Sequence, residues 1–419
     1  MKKIGLFLFG ICFALQMVAQ EQNYFTNPVI RGDVPDPSVI RIEDTYYATG
    51  TSSEWAPFYP MFTSKDLVNW KQVGHVFTKQ PSWTSNSFWA PELFYHNNKV
   101  YCYYTARQKS TGISYIGVAT SDSPLHEFTD HGPIVEYGKE AIDAFIYDDN
   151  GQLYISWKAY GLDTRPIELL GCKLSADGLH LDGEPFTLLV DEKGIGMEGQ
   201  YHFKEGDYYY IVYAAHGCCG PSSDYDVYVA RARNYGGPYE KYSGNPILHG
   251  GEGDYKSCGH GTVVRTSDGR MFYMCHAYLK GDGFFIGRQP ILQEMEMTDD
   301  HWVRFKTGNL AIAEQPIPFV GTKQEPLSDF EDNFKGNQLK VDWTWNYPYS
   351  DIHAVLKKGK LFLSGTPKNN NKYGTALCLR PQSPQYSCET KVINTGKGLK
   401  GLTLYGDDKN LIAWGIEGD

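Results

Sequence analysis

Glu205–Ala215 reads EGDYYYIVYAA, a Gly-Asp turn followed by an unbroken run of tyrosine, β-branched and small residues. Such a run fits a strand buried on both faces better than a helix, because β-branched and aromatic side chains pack well on a pleated surface. The same turn-then-strand pattern occurs four more times: EDTYYATG from Glu43, NNKVYCYYTA from Asn97, NGQLYISW from Asn150 and DGRMFYMCHA from Asp268. Alignment of the five makes Tyr47, Tyr101, Tyr154, Tyr209 and Phe272 equivalent, at intervals of 54, 53, 55 and 63 residues. These intervals lie close to the roughly 40–50 residue periods of propeller repeats. Asn-Asn, Asn-Gly and Asp-Gly at the heads of the copies are hairpin signals. Each unit is expected to be a four-stranded antiparallel blade, and five blades closed in a ring leave only short edges. A β-sandwich with chance tyrosine spacing is the alternative, which five similar intervals argue against.

Composition agrees with an all-β chain. Of 419 residues, 44 are Gly and 22 Pro, and 15% are aromatic, with no helical periodicity sustained along the chain. The net charge of -10 and the lack of any Lys/Arg cluster argue against a nucleic-acid partner. Residues 1–20 carry Lys2 and Lys3, then an apolar stretch from Ile4 to Leu15, the pattern of a secretory signal peptide. Export to the periplasm or the extracellular space is expected, with no membrane attachment after cleavage. Cleavage removes Cys12. The remaining cysteines show no zinc spacing; Cys218-Cys219 is a vicinal pair in a Gly-flanked loop, and spacing does not decide between disulfides and free thiols.

The repeat also points to a site. Eleven residues before the anchors lie Asp36, Asp143 and Glu198, with Ala90 of Trp89-Ala90-Pro91-Glu92 in the second copy and His260, twelve back, in the fifth. The first strand of each blade lines the central channel, so one register aims these side chains at one axis. A lone Asp before a strand is usually a turn former. Asp143 in EAIDAF and Glu198 in GMEGQY, however, have apolar or glycine neighbours and no local backbone need. Asp36 sits between Pro35 and Pro37, which stiffen its backbone, whereas Asp33 shares the neighbourhood but not the register. Carboxylates buried together raise at least one pKa, a condition found mainly at functional sites. Two carboxyls, one ionised and one protonated, are what glycosidic bond hydrolysis needs.

The segments NPVIRGDVPDPSVIRIEDTYYATGTS, SFWAPELFYHNNKVYCYYTA, AIDAFIYDDNGQLYISW, MEGQYHFKEGDYYYIVYA, GHGTVVRTSDGRMFYMCHAY and GRQPILQEMEMTDDHW, through residues 27–302, resemble glycoside hydrolase family 43. This is the family of five-bladed propeller arabinofuranosidases, xylosidases and arabinanases. The resemblance implies Asp36 as general base, Asp143 as the acid that tunes and orients the proton donor, and Glu198 as general acid, with inversion at the anomeric carbon. It implies a sugar contact for Arg288, a place beside the site for Trp89, rim positions for Trp55 and Trp157, and a structural calcium near His260. Each tryptophan is otherwise a blade-packing residue, and His260 an internal hydrogen-bonding one. No cofactor is needed for the chemistry; the partner is a polysaccharide or oligosaccharide. The Cys218-Cys219 loop resembles the arabinan-active side of the family. The expected activity is that of an exo-acting α-L-arabinofuranosidase, with β-xylosidase, endo-arabinanase or a non-catalytic sugar-binding propeller as alternatives. A fructan-active or phosphorolytic propeller lacks support, since no set of basic residues for phosphate is present.

The propeller is expected over residues 21–323. From 324 to 419 the repeat stops, and PLSDFEDNFKGNQLKVDWTWNYPYSDIHAVLKKGKLFLSGTP reads as short alternating strands with Gly and Asn turns. A C-terminal β-sandwich module, short or incomplete, is the expectation.

Overall fold

A computed structural model describes residues 23–161, 166–393, 398–407 and 409–417; the predicted signal peptide lies outside them. The described chain is almost entirely β, with one short 3-10 turn at Gly281–Ile286. Five antiparallel sheets follow one another along the sequence, each in simple up-and-down order. Blade 1 comprises Ser38–Ile42, Thr45–Thr49, Phe58–Ser64 and Lys71–Phe77; blade 2, Thr84–His96, Lys99–Gln108, Ser114–Ser121 and Thr129–Val135. Blade 3 comprises Ala141–Asp149, Gln152–Ala159, Glu168–Lys173 and Phe186–Val190. Blade 4 comprises Glu198–Glu205, Tyr208–Ala215, Asp226–Ala232 and Glu240–Lys241, with Leu248–His249 beside its third strand. Blade 5 comprises Tyr255–Arg265, Met271–Leu279, Arg288–Met297 and Val303–Phe305. The first strand of each blade packs on the first strand of the next, and that of blade 5 on that of blade 1. The ring is closed.

The opening stretch shows why these residues form a ring. Along Tyr208–Ala215, Tyr210 and Val212 point into a core shared with blade 5, while Ile211 and Tyr213 point into a core shared with blade 3. Period-two alternation therefore feeds two interfaces from one strand, so the run carries no polar face. Five hydrophobic clusters result, one between each pair of neighbouring blades. Two-residue turns at Glu43-Asp44, Asn97-Asn98, Asn150-Gly151 and Gly206-Asp207 join the first two strands of blades 1 to 4, as the turn signals predict.

Each inner strand carries a left-handed residue near the axis: Asp36 (φ 55°), Ala90 (39°), Asp143 (59°), Gly199 (60°) and His260 (46°). In blades 2 to 5 it marks a bulge in which the inner strand holds one residue more than its partner. This corrects the repeat alignment in one place. The residue of blade 4 equivalent to Asp36 and Asp143 is Gly199, seven residues before its turn as in the other copies, and the equivalent anchor is Tyr210. Glu198 precedes the bulge by one residue. Three consecutive tyrosines offer no choice of register by residue type; the pairing of Glu198 with Ala214 and Tyr201 with Val212, which sets the bulge at Gly199, makes it.

A bulge frees a backbone N–H that must find a partner. The preceding blade supplies it. The amides of Ala90 and Asp143 donate to Thr51 Oγ1 (2.6 Å) and Thr105 Oγ1 (3.1 Å), that of Gly199 to Asp143 Oδ2 (3.2 Å), and that of Asp36 to His276 Nδ1 (3.1 Å).

Beyond the propeller, Trp345–Asn346 pairs with Trp55–Ala56 of blade 1. Hairpins follow at Ser350–Leu356 with Leu361–Pro367 and at Lys400–Tyr405 with Leu411–Ile416. These strands fit a sandwich-like addition to the propeller.

Gly199 tests the bulge. A Cβ there would lie 2.5 Å from the His260 ring at a φ of +60°. Ala90 shows that the backbone alone tolerates a methyl, so the steric clash dominates. Gly199→Ala is expected to destabilise by about 2–4 kcal/mol in denaturant unfolding, with loss of activity beyond that of folded protein. An effect under about 0.5 kcal/mol would show that the bulge is not rigid.

Candidate active site

Asp36, Asp143 and His260 meet at the axis because they hold the left-handed position at the inner end of blades 1, 3 and 5, and Glu198 joins them from the adjacent position of blade 4. Asp36 Oδ2 accepts a hydrogen bond from the Thr51 hydroxyl at 2.6 Å. Its Oδ1 faces His276 Nδ1 at 3.1 Å, His260 Nδ1 at 3.5 Å and Arg288 Nη1 at 3.5 Å. Burial opposes the charge on Asp36, but Arg288 and then His260 outweigh it and hold the carboxyl well below the usual carboxylate range, with His276 adding to their effect only when it is protonated. Burial pushes His276 itself down to about 4, against the pull of Asp36, so its ring is neutral at pH 7 and accepts the Asp36 amide.

Asp143 and Glu198 behave as a pair. Burial, with the nearby charge of Glu198, pushes Asp143 up to about 7 against the opposing pull of His260. Burial also disfavours charge on Glu198, but Lys158 Nζ, 2.6 Å from Oε2, outweighs it and holds Glu198 below its ordinary value; the Tyr225 hydroxyl donates to Oε1 at 2.8 Å. Lys158 is itself only 7% exposed at its side chain. Of the two, Asp143 is therefore the carboxyl that favours its proton near neutral pH. One carboxylate permanently charged and a second pair holding a mobile proton form an acid–base apparatus for splitting an acetal.

The remaining predicted residues divide. Arg288 reaches Asp36, and its amide donates to Asp33 Oδ1 at 2.7 Å, so Asp33 braces the site from behind. Trp89 is half-buried next to Ala90. Trp55 is half-buried, pairs with Asn346, and meets the Tyr405 ring edge-on at 6.0 Å. Trp157 is not at the rim. It is 0% exposed in the core between blades 2 and 3, against Tyr137, because its place in the strand points it sideways between blades. His260 touches the carboxyls of Asp36 and Asp143, the latter at 3.8 Å. Among the described residues no group of three or more His, Cys, Asp and Glu side chains is placed to hold a metal ion. Calcium takes six to eight oxygen ligands, and the two carboxyls here already answer to Thr51, Arg288 and the Gly199 amide, so no protein cage for it is formed.

Sequence reasoning missed Thr51, Lys158, Tyr225 and His276. The signal for three of them lay in the repeat: Thr51, Thr105 and Lys158 stand fifteen residues after the bulge residue, and His276 sixteen. Tyr225 had no such mark.

Fold and site together define a propeller glycoside hydrolase. The chain belongs to the glycosyl hydrolases family 43, whose model matches residues 25–303. It is 28% identical over 415 residues to a xylan 1,3-beta-xylosidase of a Vibrio species, covering 90% of this chain and 76% of that protein. It is also 28% identical over 434 residues to the non-reducing end alpha-L-arabinofuranosidase BoGH43B of Bacteroides ovatus, covering 97% and 78%. The chain thus spans about three quarters of the length of these curated relatives. The solved structure of the GH43 protein BlXynB of Bacillus licheniformis shares the fold, with a TM-score of 0.71 at 24% identity over 86% of this chain and 72% of that one.

The raised pKa of Asp143 has a sign. A carboxyl whose folded pKa exceeds its ordinary 3.8 destabilises the fold once it must ionise, an effect absent below about pH 4 and complete above about pH 7. Asp143→Asn keeps an acceptor for the Gly199 amide without that charge. Its melting temperature is expected to equal that of the parent near pH 4 and to exceed it by roughly 3–5 °C at pH 8. A difference that stays flat with pH would contradict the assignment.

Proposed function

We propose that the protein is an exported, inverting, exo-acting α-L-arabinofuranosidase of plant cell-wall polysaccharide, with Asp36 as general base, Glu198 as general acid and Asp143 as the residue that tunes and orients the acid. The observation that carries this reading is the split in charge state: Arg288 and His260 hold Asp36 as an anion, while burial pushes Asp143 up and Lys158 holds Glu198 down. Inversion requires the base to hold a water on the face opposite the leaving oxygen, which asks for carboxyls roughly 6.5–9.5 Å apart. Glu198 donates the proton once the leaving oxygen displaces Lys158 Nζ and the shared proton crosses from Asp143, which then takes the negative charge beside His260. Arg288 holds the sugar hydroxyls next to Asp36. The long match to a relative named as an arabinofuranosidase supports the choice of sugar, and Lys2, Lys3 and the apolar stretch after them support export.

Aryl α-L-arabinofuranoside, aryl β-D-xyloside and debranched arabinan separate the candidate activities, with the furanoside expected to turn over fastest. Glu198→Gln is expected to lose roughly 10²–10⁴ in kcat on poor leaving groups. No turnover of any glycoside, or full activity in Glu198→Gln, would sink the reading. Lys158→Met gives an independent check. Removing the cation raises the carboxyl pKa, so the alkaline limb of the kcat/KM profile is expected to move to higher pH by about one unit. A shift to lower pH, or none, would mean that Lys158 does not govern the acid.

A further inference from the structure

The loop from His216 to Asp226 joins the second and third strands of blade 4 and carries a Cys218–Cys219 disulfide at its tip. It is tied at both ends of the catalytic cluster. On the acid side, Tyr225 donates to Glu198 Oε1, stacks on His276 and accepts the Cys258 amide at 3.0 Å. On the base side, the Gly220 amide donates to the Tyr278 hydroxyl at 3.0 Å, and Tyr278 is the strand partner of Arg288, which reaches Asp36. Between these ties, Ser223 Oγ donates to the carbonyls of Gly217 and Cys218 and meets Ser257 Oγ of blade 5 at 2.7 Å. The loop therefore arches from Glu198 to the Arg288–Asp36 side, with its bonded sulfurs at the crown, Cys218 half-buried and Cys219 exposed.

The geometry points to the Cys218–Cys219 ring as one wall of the sugar pocket, a specificity-determining contact on which the apolar face of the sugar between Asp36 and Glu198 packs. This rests on the glycosidase reading above. The chemistry suits the task. A disulfide between chain neighbours leaves neither side chain free to rotate, so packing a ligand on it loses no rotamer entropy, unlike packing on Met or Leu. Its sulfurs are polarisable and carry no strong donor, which fits C–H rather than hydroxyl faces. The polar work falls to Arg288 and the carboxyls.

The test opens the ring in two ways, by a phosphine reductant on the full chain and by the double variant Cys218→Ser, Cys219→Ser, with mass spectrometry after alkylation confirming two extra thiols in the reduced protein. Calorimetry with arabinotriose and steady-state kinetics with aryl α-L-arabinofuranoside and aryl β-D-xyloside are read on each form. Ring opening is expected to weaken binding and raise KM about tenfold for the preferred sugar, leave kcat within about threefold and reduce the preference between the two sugars. Unchanged binding and preference would overturn the wall, as would a fall in kcat with KM fixed, which would place the ring's effect on the carboxyls. If oxidised protein binds arabinotriose but cleaves nothing, weaker binding after opening still supports the wall while the hydrolase reading fails. Absence of binding in the oxidised form overturns the wall.

Discussion

The structure depends on one local constraint, the left-handed residue at the axial end of each blade, which is a bulge in blades 2 to 5. Five strands running inward to a common axis crowd there, and a regular pleat would point alternate side chains sideways into the blade interfaces. One extra residue turns the side chain along the axis instead, and it frees an amide that has no ladder partner. The preceding blade answers that amide with Thr51, Thr105, Asp143 or His276. Leaving such a group buried and unmet costs about 1–3 kcal/mol, comparable to a large share of a domain's net stability. The same atoms that join blade to blade therefore fix where the axial carboxyls point.

Electrostatics then assigns different tasks to similar groups. Asp36 and Asp143 occupy equivalent left-handed positions, with φ of 55° and 59°, so their backbones do not distinguish them. Their neighbours do. Arg288 stands beside Asp36 with two histidines, whereas Asp143 shares its histidine with Asp36 and faces the charge of Glu198. A buried charge persists only with close partners. Arg288 and His260 suffice for Asp36, and the weaker set around Asp143 leaves it near its protonation point. Lys158 adds the asymmetry within the second pair, since it touches Glu198 and holds that carboxyl down while Asp143 is pushed up.

The ring, its blade count and three of the four axial residues are legible in the sequence because burial on both faces imposes a strong period and because turns of the Asn-Gly kind mark each hairpin. Glu198 was found through an anchor one residue out of register, in a run of three tyrosines where only the strand pairing identifies the equivalent residue. Trp157 was misplaced for the opposite reason: an aromatic at a conspicuous spacing says nothing about which way its strand faces. Thr51, Lys158 and His276 were hidden because they contribute by touching a neighbouring blade. That contact is a property of closure, and it shows in one chain only when the repeat is followed past the first strand to the second. Tyr225, on the far side of a loop, has no periodic signature at all.

Closure and charge meet at the seam between the last blade and the first. Asn27 clamps Leu292 with two side-chain hydrogen bonds, the Val34 amide donates to the Arg288 carbonyl, and the Thr262 hydroxyl donates to the Pro37 carbonyl. Tyr24–Thr26 pairs with Glu314–Pro316, so the first described strand holds the chain segment that follows blade 5. Every partner that keeps Asp36 ionised, apart from Thr51, comes from blade 5 across this seam. The depressed pKa of Asp36 is therefore a property of the closed ring: its contribution to stability is present above the ordinary carboxylate pKa and fades only as pH falls through the folded value. A ring that opened at the seam would take Arg288 and His260 from Asp36 together, so the charge on Asp36 depends on a shut seam.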